Sequence, residues 1–338
     1  LRFKIDNLTK PKGSLGTLEE LALQVGLIQQ TLSPSLKCPQ NIIFCADHGI
    51  EAEGVSVSPR EVTWQQTIHF TQGNGGVNFL CRQHGFQLKV VDAGVDYDLP
   101  TDRGIFDQKI RKGTRNFLYE AAMTEEEMHL CIERGAEMTR LCHEEGSNVL
   151  SFGEMGIGNT TTSAAVLSVL LDADVEAVTG RGGGITDASF LKKKLVVKTA
   201  IDVNQPDKKD VIDVLAKVGG FDIAAMCGAF IGAAATRRPV VIDGYISAVA
   251  ALCAYKLCPN AVHYFVPSHA SFEIGYKLAM DAMGLEPMFL LGMRLGEGSG
   301  CPLAFRIVQA ATAVMNGMAT FAEAEINDDY LEEIRAKD

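Results

Sequence analysis

Short apolar runs alternate with helical patterns along most of the chain. The runs are bounded by Gly and polar residues, and several are rich in β-branched residues, which is typical of buried strands. They are Ile42–Ala46, Leu88–Val91, Val149–Phe152, Val240–Ile242, Val262–Val266 and Met288–Leu291. The helical patterns between them are Thr124–His143, Thr160–Leu171, Asp222–Ala235, Ile246–Leu257 and Ser271–Met283. This alternation predicts an α/β fold with a doubly wound parallel sheet and right-handed crossovers.

Three further helical patterns have no strand partner nearby. They are Leu18–Thr31, Leu303–Ala322 and Asp329–Lys337, at the two ends of the sequence. We expect them to form a smaller helical lobe of residues 1–35 plus 301–338. Residues 36–300 would then form a large α/β domain that contains the active site.

Composition narrows the classes of function. The 338 residues carry a net charge of −11, whereas a nucleic-acid binder normally presents a basic face. No apolar run approaches the roughly 20 residues that cross a bilayer, and no secretory signal is visible. Nine cysteines occur without a C-x-x-C pair, which is typical of reduced, buried thiols. We therefore expect a cytoplasmic protein that binds neither nucleic acid nor a membrane.

Polar or Gly-rich clusters follow the predicted strands. Because the carboxyl ends of parallel strands meet at one edge of a sheet, these clusters predict a shared cleft, although any one of them could be an ordinary turn. They are Asp47–Gly49, Asp92–Gly94, Gly153–Glu154, Asp243–Gly244 and Pro267–His269, with Arg294–Gly300 shortly after the sixth run.

Two glycine-rich segments are candidates for binding an anion. Gly153–Thr162 runs from a strand through spaced glycines into threonines that can begin a helix, where unpaired N–H groups face outward. Gly180–Ile185 contains consecutive glycines that can form a nest of N–H groups, and Lys192–Lys194 follow about two helical turns later. The alternatives are a structural turn for the first segment and a flexible loop before a solvated basic helix for the second.

Glu297 is the candidate general base. It lies between Gly296 and Gly298, so no neighbouring side chain blocks a ligand from its carboxylate. In a pocket of low polarity the pKa of such a carboxylate rises toward the range useful for proton transfer. The alternative is a surface glutamate in a loop.

The sequence lacks the motifs of metal sites, of serine nucleophiles and of ATP binding. The seven histidines show no metal-binding spacing, and neither a nucleophile elbow nor an ATP phosphate loop is present. We therefore expect no metal and no cofactor, and we interpret His48, His263 and His269 as structural or substrate-orienting. Asp243 stands alone after its apolar run, whereas enzymes that use phosphoribosyl pyrophosphate typically have paired acidic residues there.

Many ordered segments together carry a resemblance to a known family. They include Leu8–Gly16, Ala46–Gly49, Val57–Pro59, Gly113–Thr114, Gly153–Thr162, Gly180–Thr186, Arg238–Gly244, Ser268–His269 and Gly292–Gly300. On these motifs the chain resembles the nicotinate-nucleotide–dimethylbenzimidazole phosphoribosyltransferases, which build the lower-ligand nucleotide of cobalamin. The resemblance covers nearly the full length of the chain.

The resemblance implies a fold, a reaction and roles for residues. It implies a Rossmann-like sheet, a homodimer, and transfer of ribose 5-phosphate from nicotinate mononucleotide to 5,6-dimethylbenzimidazole or a related base. The products would be α-ribazole 5′-phosphate and nicotinate. The implied catalytic residues are Glu297 and Glu154. The expected phosphate- or ribose-binding residues are Gly156, Gly182, Gly183, Lys193, Ser271 and Arg294, and the expected base-binding residues are Ser58, Gln66, Met155 and Leu295.

Two other classes of function stay open at this point. One is an NAD-linked oxidoreductase, which the Gly-rich turns favour and the absence of an acidic ribose-binding residue at the usual spacing opposes. The other is a non-catalytic ligand-binding relative, against which the presence of both Glu154 and Glu297 speaks.

Overall fold

The structure is a computed structural model that describes residues 1–329. Contacts divide the chain into two compact units, one of Leu1–Leu36 with the described chain from Phe305, the other Lys37–Ala304. The smaller unit contains α1 (Arg2–Asp6) and α2 (Thr17–Gln29), and α13 (Cys301–Gly317) contains the boundary. The predicted helix Asp329–Lys337 lies outside the described residues from its second position onward.

A six-stranded sheet forms the centre of the larger unit. Its strands pair in the order β3-β2-β1-β4-β5-β6, and every pair is parallel. The strands are β1 (Gln40–Ala46), β2 (Gln87–Gly94), β3 (Phe106–Asp107), β4 (Leu150–Met155), β5 (Val240–Ile242) and β6 (Phe265–Pro267). All seven residues of β1 are buried, as expected of a central strand covered on both faces. The predicted α/β class and parallel sheet are confirmed.

Ten helices belong to this unit. They are α3 (Glu61–Gln72), α4 (Gly76–His84), α5 (Glu125–Glu144), α6 (Asn159–Leu171), α7 (Val175–Val178), α8 (Asp187–Asn204), α9 (Val211–Val218), α10 (Phe221–Ala235), α11 (Tyr245–Leu257) and α12 (Tyr276–Met283). Short 3₁₀ turns occupy Gly49–Glu53, Thr101–Arg103 and Pro259–Tyr264. The predicted capping box begins α5, where the Thr124 hydroxyl accepts from the Glu127 N–H.

Close packing fixes the position of α10. A Cβ atom at Gly135 of α5 would lie 1.8 Å from the Ala225 carbonyl oxygen, and one at Gly228 would lie 2.0 Å from the Ile132 oxygen. Only glycine fits such an approach between two helix backbones. This packing matters for function because the first turn of α10 carries Asp222, which reaches the site described below.

The predicted strand Met288–Leu291 is wrong. Phe289 forms only an isolated bridge to His269, and Leu290 is 80% exposed. The apolar run therefore marks a surface segment, which a short run alone does not distinguish from a buried strand.

Two of the predicted elements begin later than expected, and one strand was missed. Val262–Val266 is extended only from Phe265, because the preceding residues form a 3₁₀ turn. The helix predicted over Ser271–Met283 begins at Tyr276. The missed strand β3 has two residues, too few to leave a pattern.

Candidate active site

A cavity of about 240 Å³ opens at the carboxyl ends of β4, β5 and β6. In a sheet of this order, β1 and β4 flank the point where the direction of strand addition reverses, which is where open α/β sheets bind ligands. The cavity is lined by Ser56, Ser58, Glu154–Thr160, Gly182, Gly183, Gly244–Ile246, His269, Ser271, Glu273 and Arg294–Glu297.

Most of the predicted site residues line this one cavity. They are Ser58, Glu154, Met155, Gly156, Gly182, Gly183, Ser271, Arg294, Leu295 and Glu297. Gln66 and Lys193 stand behind the wall instead. Each donates a hydrogen bond to a residue that lines the cavity: Gln66 donates to Glu297, and Lys193 donates to Thr160.

The backbone explains why glycines surround Glu297. Gly296, Glu297 and Gly298 have φ angles of 81°, 62° and 76°, in the left-handed region. Glycine adopts this conformation freely, whereas for another residue it costs about 1–2 kcal/mol. Gly153 of β4 lies beneath the turn, and a Cβ atom there would come within 2.2 Å of the Glu297 carbonyl carbon. Glu297 is thus held in a strained conformation against the central sheet.

Asp243 holds the turn in place from the end of β5. Its two carboxylate oxygens accept from the N–H groups of Gly298 at 3.0 Å and Gly300 at 2.7 Å. Burial raises the pKa of Asp243 to about 7, and the surrounding N–H groups oppose this shift. On the other side, Asn41 of β1 donates to the Glu297 carbonyl oxygen at 3.3 Å.

The Glu297 carboxyl group has one occupied and one free oxygen. Gln66 Nε2 donates to Oε1 at 3.1 Å, whereas Oε2 is buried and has no hydrogen-bond partner within residues 1–329. Burial raises the pKa of Glu297, opposed by the N–H of Val77 and by Gln66. The result is a desolvated carboxyl group with an acceptor left for a ligand.

Glu154 belongs to a buried polar network. Its Oε1 accepts from the Glu297 N–H at 3.4 Å, and its Oε2 accepts from the Asn159 side chain. Asn159 also donates to Asp222 at 3.3 Å, and Asp222 lies 3.3 Å from His48 Nε2. Burial raises the pKa of Glu154 strongly, and the negative charge of Asp222 adds to the effect.

The glycine loop forms the other end of the cavity, and Lys193 lies behind it. Gly182 has a φ of 54°, and a Cβ atom there would lie 3.5 Å from Lys193 Nζ. Lys193 is fully buried, and it donates to the Thr160 hydroxyl at 2.8 Å. Burial lowers the pKa of Lys193 to about 8. Lys192 is exposed and Lys194 pairs with Glu176, so Lys193 is the buried member of the run.

Two of the predicted strand-end clusters do not reach the cavity. Asp47 instead accepts from the N–H of Asp96 at 2.8 Å, and Asp92 accepts from that of Val95 at 2.9 Å. Both carboxylates tie neighbouring loops, so the expectation that all six clusters share one cleft is wrong for these two.

Neither a metal-binding group of side chains nor a membrane-spanning helix is found among the described residues. Among residues 1–329, no group of three or more His, Cys, Asp or Glu side chains is arranged to hold a metal ion. No helix in the same part of the chain is long and apolar enough to cross a membrane.

Replacing Asp243 tests its hold on the turn. We expect Asp243→Ala to lower kcat by about 10–100-fold, because a misplacement of about 1 Å at a reacting group costs up to about 10²-fold. Asp243→Asn keeps one acceptor oxygen and should recover part of the rate. The measurement is steady-state turnover together with a thermal melt. An unchanged kcat in folded Asp243→Ala would show that the turn around Glu297 keeps its position without the Asp243 carboxylate.

The comparison with known families decides the class of protein. A family model described as phosphoribosyltransferase matches residues 1–326. The chain belongs to this phosphoribosyltransferase family. Its predicted membership, its transferase class and its status as an enzyme are confirmed, and the oxidoreductase alternative is set aside.

Relatives of this phosphoribosyltransferase are close in sequence and in fold. A protein of Bacteroides fragilis named nicotinate-nucleotide–dimethylbenzimidazole phosphoribosyltransferase is 54% identical over 326 residues, covering 96% of this chain and 94% of its own. A Phocaeicola vulgatus protein of the same name is 49% identical over 323 residues, covering 96% and 93%. The crystal structure of CobT from Thermus thermophilus matches with a TM-score of 0.93 at 36% identity, covering 96% of this chain and 97% of its own.

Proposed function

We propose that this enzyme transfers the ribose 5-phosphate of nicotinate mononucleotide to 5,6-dimethylbenzimidazole or a related aromatic base. The products are α-ribazole 5′-phosphate and nicotinate, for assembly of the cobalamin nucleotide loop. The names of the relatives supply the substrates. The observation that carries the proposal for this chain is the free, buried Oε2 of Glu297 at the cavity wall.

Glu297 accepts the proton of the incoming base. Its raised pKa makes it a stronger base than an ordinary carboxylate, and Gln66 fixes the other oxygen so that Oε2 faces the ligand. As the base nitrogen attacks ribose C1′, the C–N bond to nicotinate breaks and its electron pair neutralises the pyridinium nitrogen. Attack opposite the leaving group inverts C1′ and gives the α linkage.

Glu154 stabilises the positive charge that develops on the ribose. Its position next to the Glu297 N–H and its anchoring by Asn159 hold a carboxylate near the reacting centre. Such preorganised groups contribute most where water is excluded, and Glu154 is only 7% exposed. Ser58, Met155 and Leu295 line the cavity and are the side chains that we assign to the aromatic base. Gln66, which was expected to bind the base as well, acts on it through Glu297.

The glycine loop binds the 5′-phosphate with Lys193. We expect Lys193→Met to raise KM for nicotinate mononucleotide by about 10–100-fold, because a hydrogen bond to a charged group contributes about 1.5–3 kcal/mol. kcat should change less, since the phosphate does not react. Lys192→Met is the matched control, because that lysine is exposed. Equal kinetics of the two variants would contradict the assignment.

We also propose a homodimer and a cytoplasmic enzyme. Phe272, Leu290 and Leu291 are 71%, 80% and 60% exposed, and a second copy of the chain is the partner we infer for these apolar side chains. We propose that the two compact units correspond to the two expected lobes, with the active site in the larger one.

The test of the proposed function is release of nicotinate by the purified enzyme. Nicotinate mononucleotide is incubated with and without dimethylbenzimidazole, and the mixture is separated by chromatography. We expect release that depends on the added base. Release without any base would indicate a nucleotide hydrolase, and no release with a folded protein would contradict the proposal.

A further inference from the structure

Glu273 places a carboxylate at the anion-binding end of the cavity. It lies in the loop between β6 and α12, and it lines the cavity together with Gly182, Gly183 and Ser271. A Cβ atom on Gly180 would lie 1.8 Å from Glu273 Oε2, so the carboxylate is pressed against the glycine loop itself. An acidic side chain is unexpected where a phosphate is to bind.

This carboxylate has an oxygen without a partner. Glu273 Oε2 is buried and has no hydrogen-bond partner in the described chain. Lys193 donates its hydrogen bond to the Thr160 hydroxyl instead. Lys193, behind the glycine loop, and Glu273, at the cavity wall, therefore do not neutralise each other through a direct ion pair.

Three charged or titratable groups face Glu273. Lys193 from α8 and Arg294 from the Glu297 turn oppose the rise that burial imposes on its pKa, as does the Gly182 N–H. Tyr245 of α11 is the third, but its hydroxyl already donates to the Val178 carbonyl oxygen. The negative charge of a bound phosphate favours the charged forms of Lys193 and Arg294, so a proton between Glu273 and that ligand comes from solvent or from the ligand.

The chemistry of a phosphate monoester decides what this arrangement does. Its second pKa is about 6, so at neutral pH most of the free ligand is a dianion whose oxygens only accept hydrogen bonds. The phosphate dianion and the Glu273 carboxylate repel each other in a desolvated pocket. Because Glu273 is partly buried, water cannot solvate both of its oxygens. One proton between them converts the repulsion into a charge-assisted O–H···O hydrogen bond.

We propose that the phosphate cradle takes up one proton from solvent when it binds nucleotide, and that Glu273 and a phosphate oxygen share that proton. The cradle thereby binds the monoanionic form of the phosphate and selects against oxyanions that cannot carry a proton at neutral pH, such as sulfate. This inference rests on the proposed function, because it takes the ligand to be a nucleotide phosphate.

Calorimetry measures the proton directly. Nicotinate mononucleotide is titrated into the enzyme at pH 7.0, without the aromatic base, in two buffers that differ in ionisation enthalpy. Lys193, with a pKa of about 8, is mostly charged at this pH and contributes little. We expect uptake of about one proton by the unaltered enzyme at this pH. Glu273→Gln should take up far less.

A second measurement needs no variant. Inorganic phosphate should compete with the nucleotide, whereas sulfate at the same concentration should compete much less. Nucleotide binding without proton uptake, or equal competition by sulfate, would overturn this inference and leave the proposed function standing. Failure of the nucleotide to bind at all would overturn both.

Discussion

Glu297→Gln should lower kcat by about 10²–10⁴-fold, the range that a positioned general base contributes. The amide keeps the shape of the side chain and can still contact Gln66, but it cannot accept the proton of the aromatic base. The strained turn is held by Asp243 and Asn41 through backbone atoms of the turn, which the substitution leaves in place. We therefore expect the thermal midpoint and KM for the nucleotide to change little while turnover collapses.

The dependence of kcat on pH is a second test of Glu297 as the general base. Burial raises the pKa of Glu297, so kcat should fall as pH decreases through that pKa and the carboxylate becomes protonated. Glu286→Gln is the matched control, because this glutamate is exposed on the surface and loses the same charge. Comparable rates for the Glu297 and Glu286 variants would contradict the assignment of the base.

Glu154→Gln should lower kcat by about 10²–10³-fold, the loss typical of removing one preorganised electrostatic group. Burial and Asp222 raise the pKa of Glu154, whereas the hydrogen bonds that it accepts from Asn159 and from the Glu297 N–H favour its charged form. We assign Glu154 the role of an anion that faces the ribose. The amide removes the negative charge that faces the developing charge on the ribose. The amide also relieves repulsion with Asp222, but its NH2 group faces one of the two N–H donors. Because these effects oppose each other, we expect the thermal midpoint to change little.

The combination of these two readouts separates catalysis from structure. A loss of turnover with an unchanged or raised thermal midpoint supports electrostatic stabilisation by Glu154. A loss of turnover that follows a lowered midpoint would assign Glu154 a structural role instead. Retention of near-full kcat would remove it from the mechanism.

Much of the fold follows from local patterns. The run Val240–Ile242 is a strand with the predicted bounds, and Thr124 caps α5 as its spacing to Glu127 predicts. The strand prediction for Met288–Leu291 was wrong because an exposed apolar run has the same local pattern as a buried strand. The two differ in whether other elements cover them, which the run itself does not reveal.

Some residues of the candidate site could be predicted from the sequence, and others could not. Glu297 stands out in the sequence because the glycines beside it are needed for the positive φ angles of the turn. Asn159 and Asp222 leave no such signal, because they lie 63 positions apart in the sequence and their contact depends on where α10 packs. Glu273 resembles any loop glutamate until the structure brings it against the glycine loop.

We propose that this enzyme joins the ribose phosphate of nicotinate mononucleotide to an aromatic base through proton abstraction by Glu297. The most direct measurement is isolation of the product from dimethylbenzimidazole and the nucleotide, with assignment of its glycosidic bond by NMR, for the unaltered enzyme and for Glu297→Gln. We expect an α-linked ribotide from the unaltered enzyme, equal in amount to the nicotinate released, and almost none from the variant. A β-linked product, or equal product from both proteins, would contradict it.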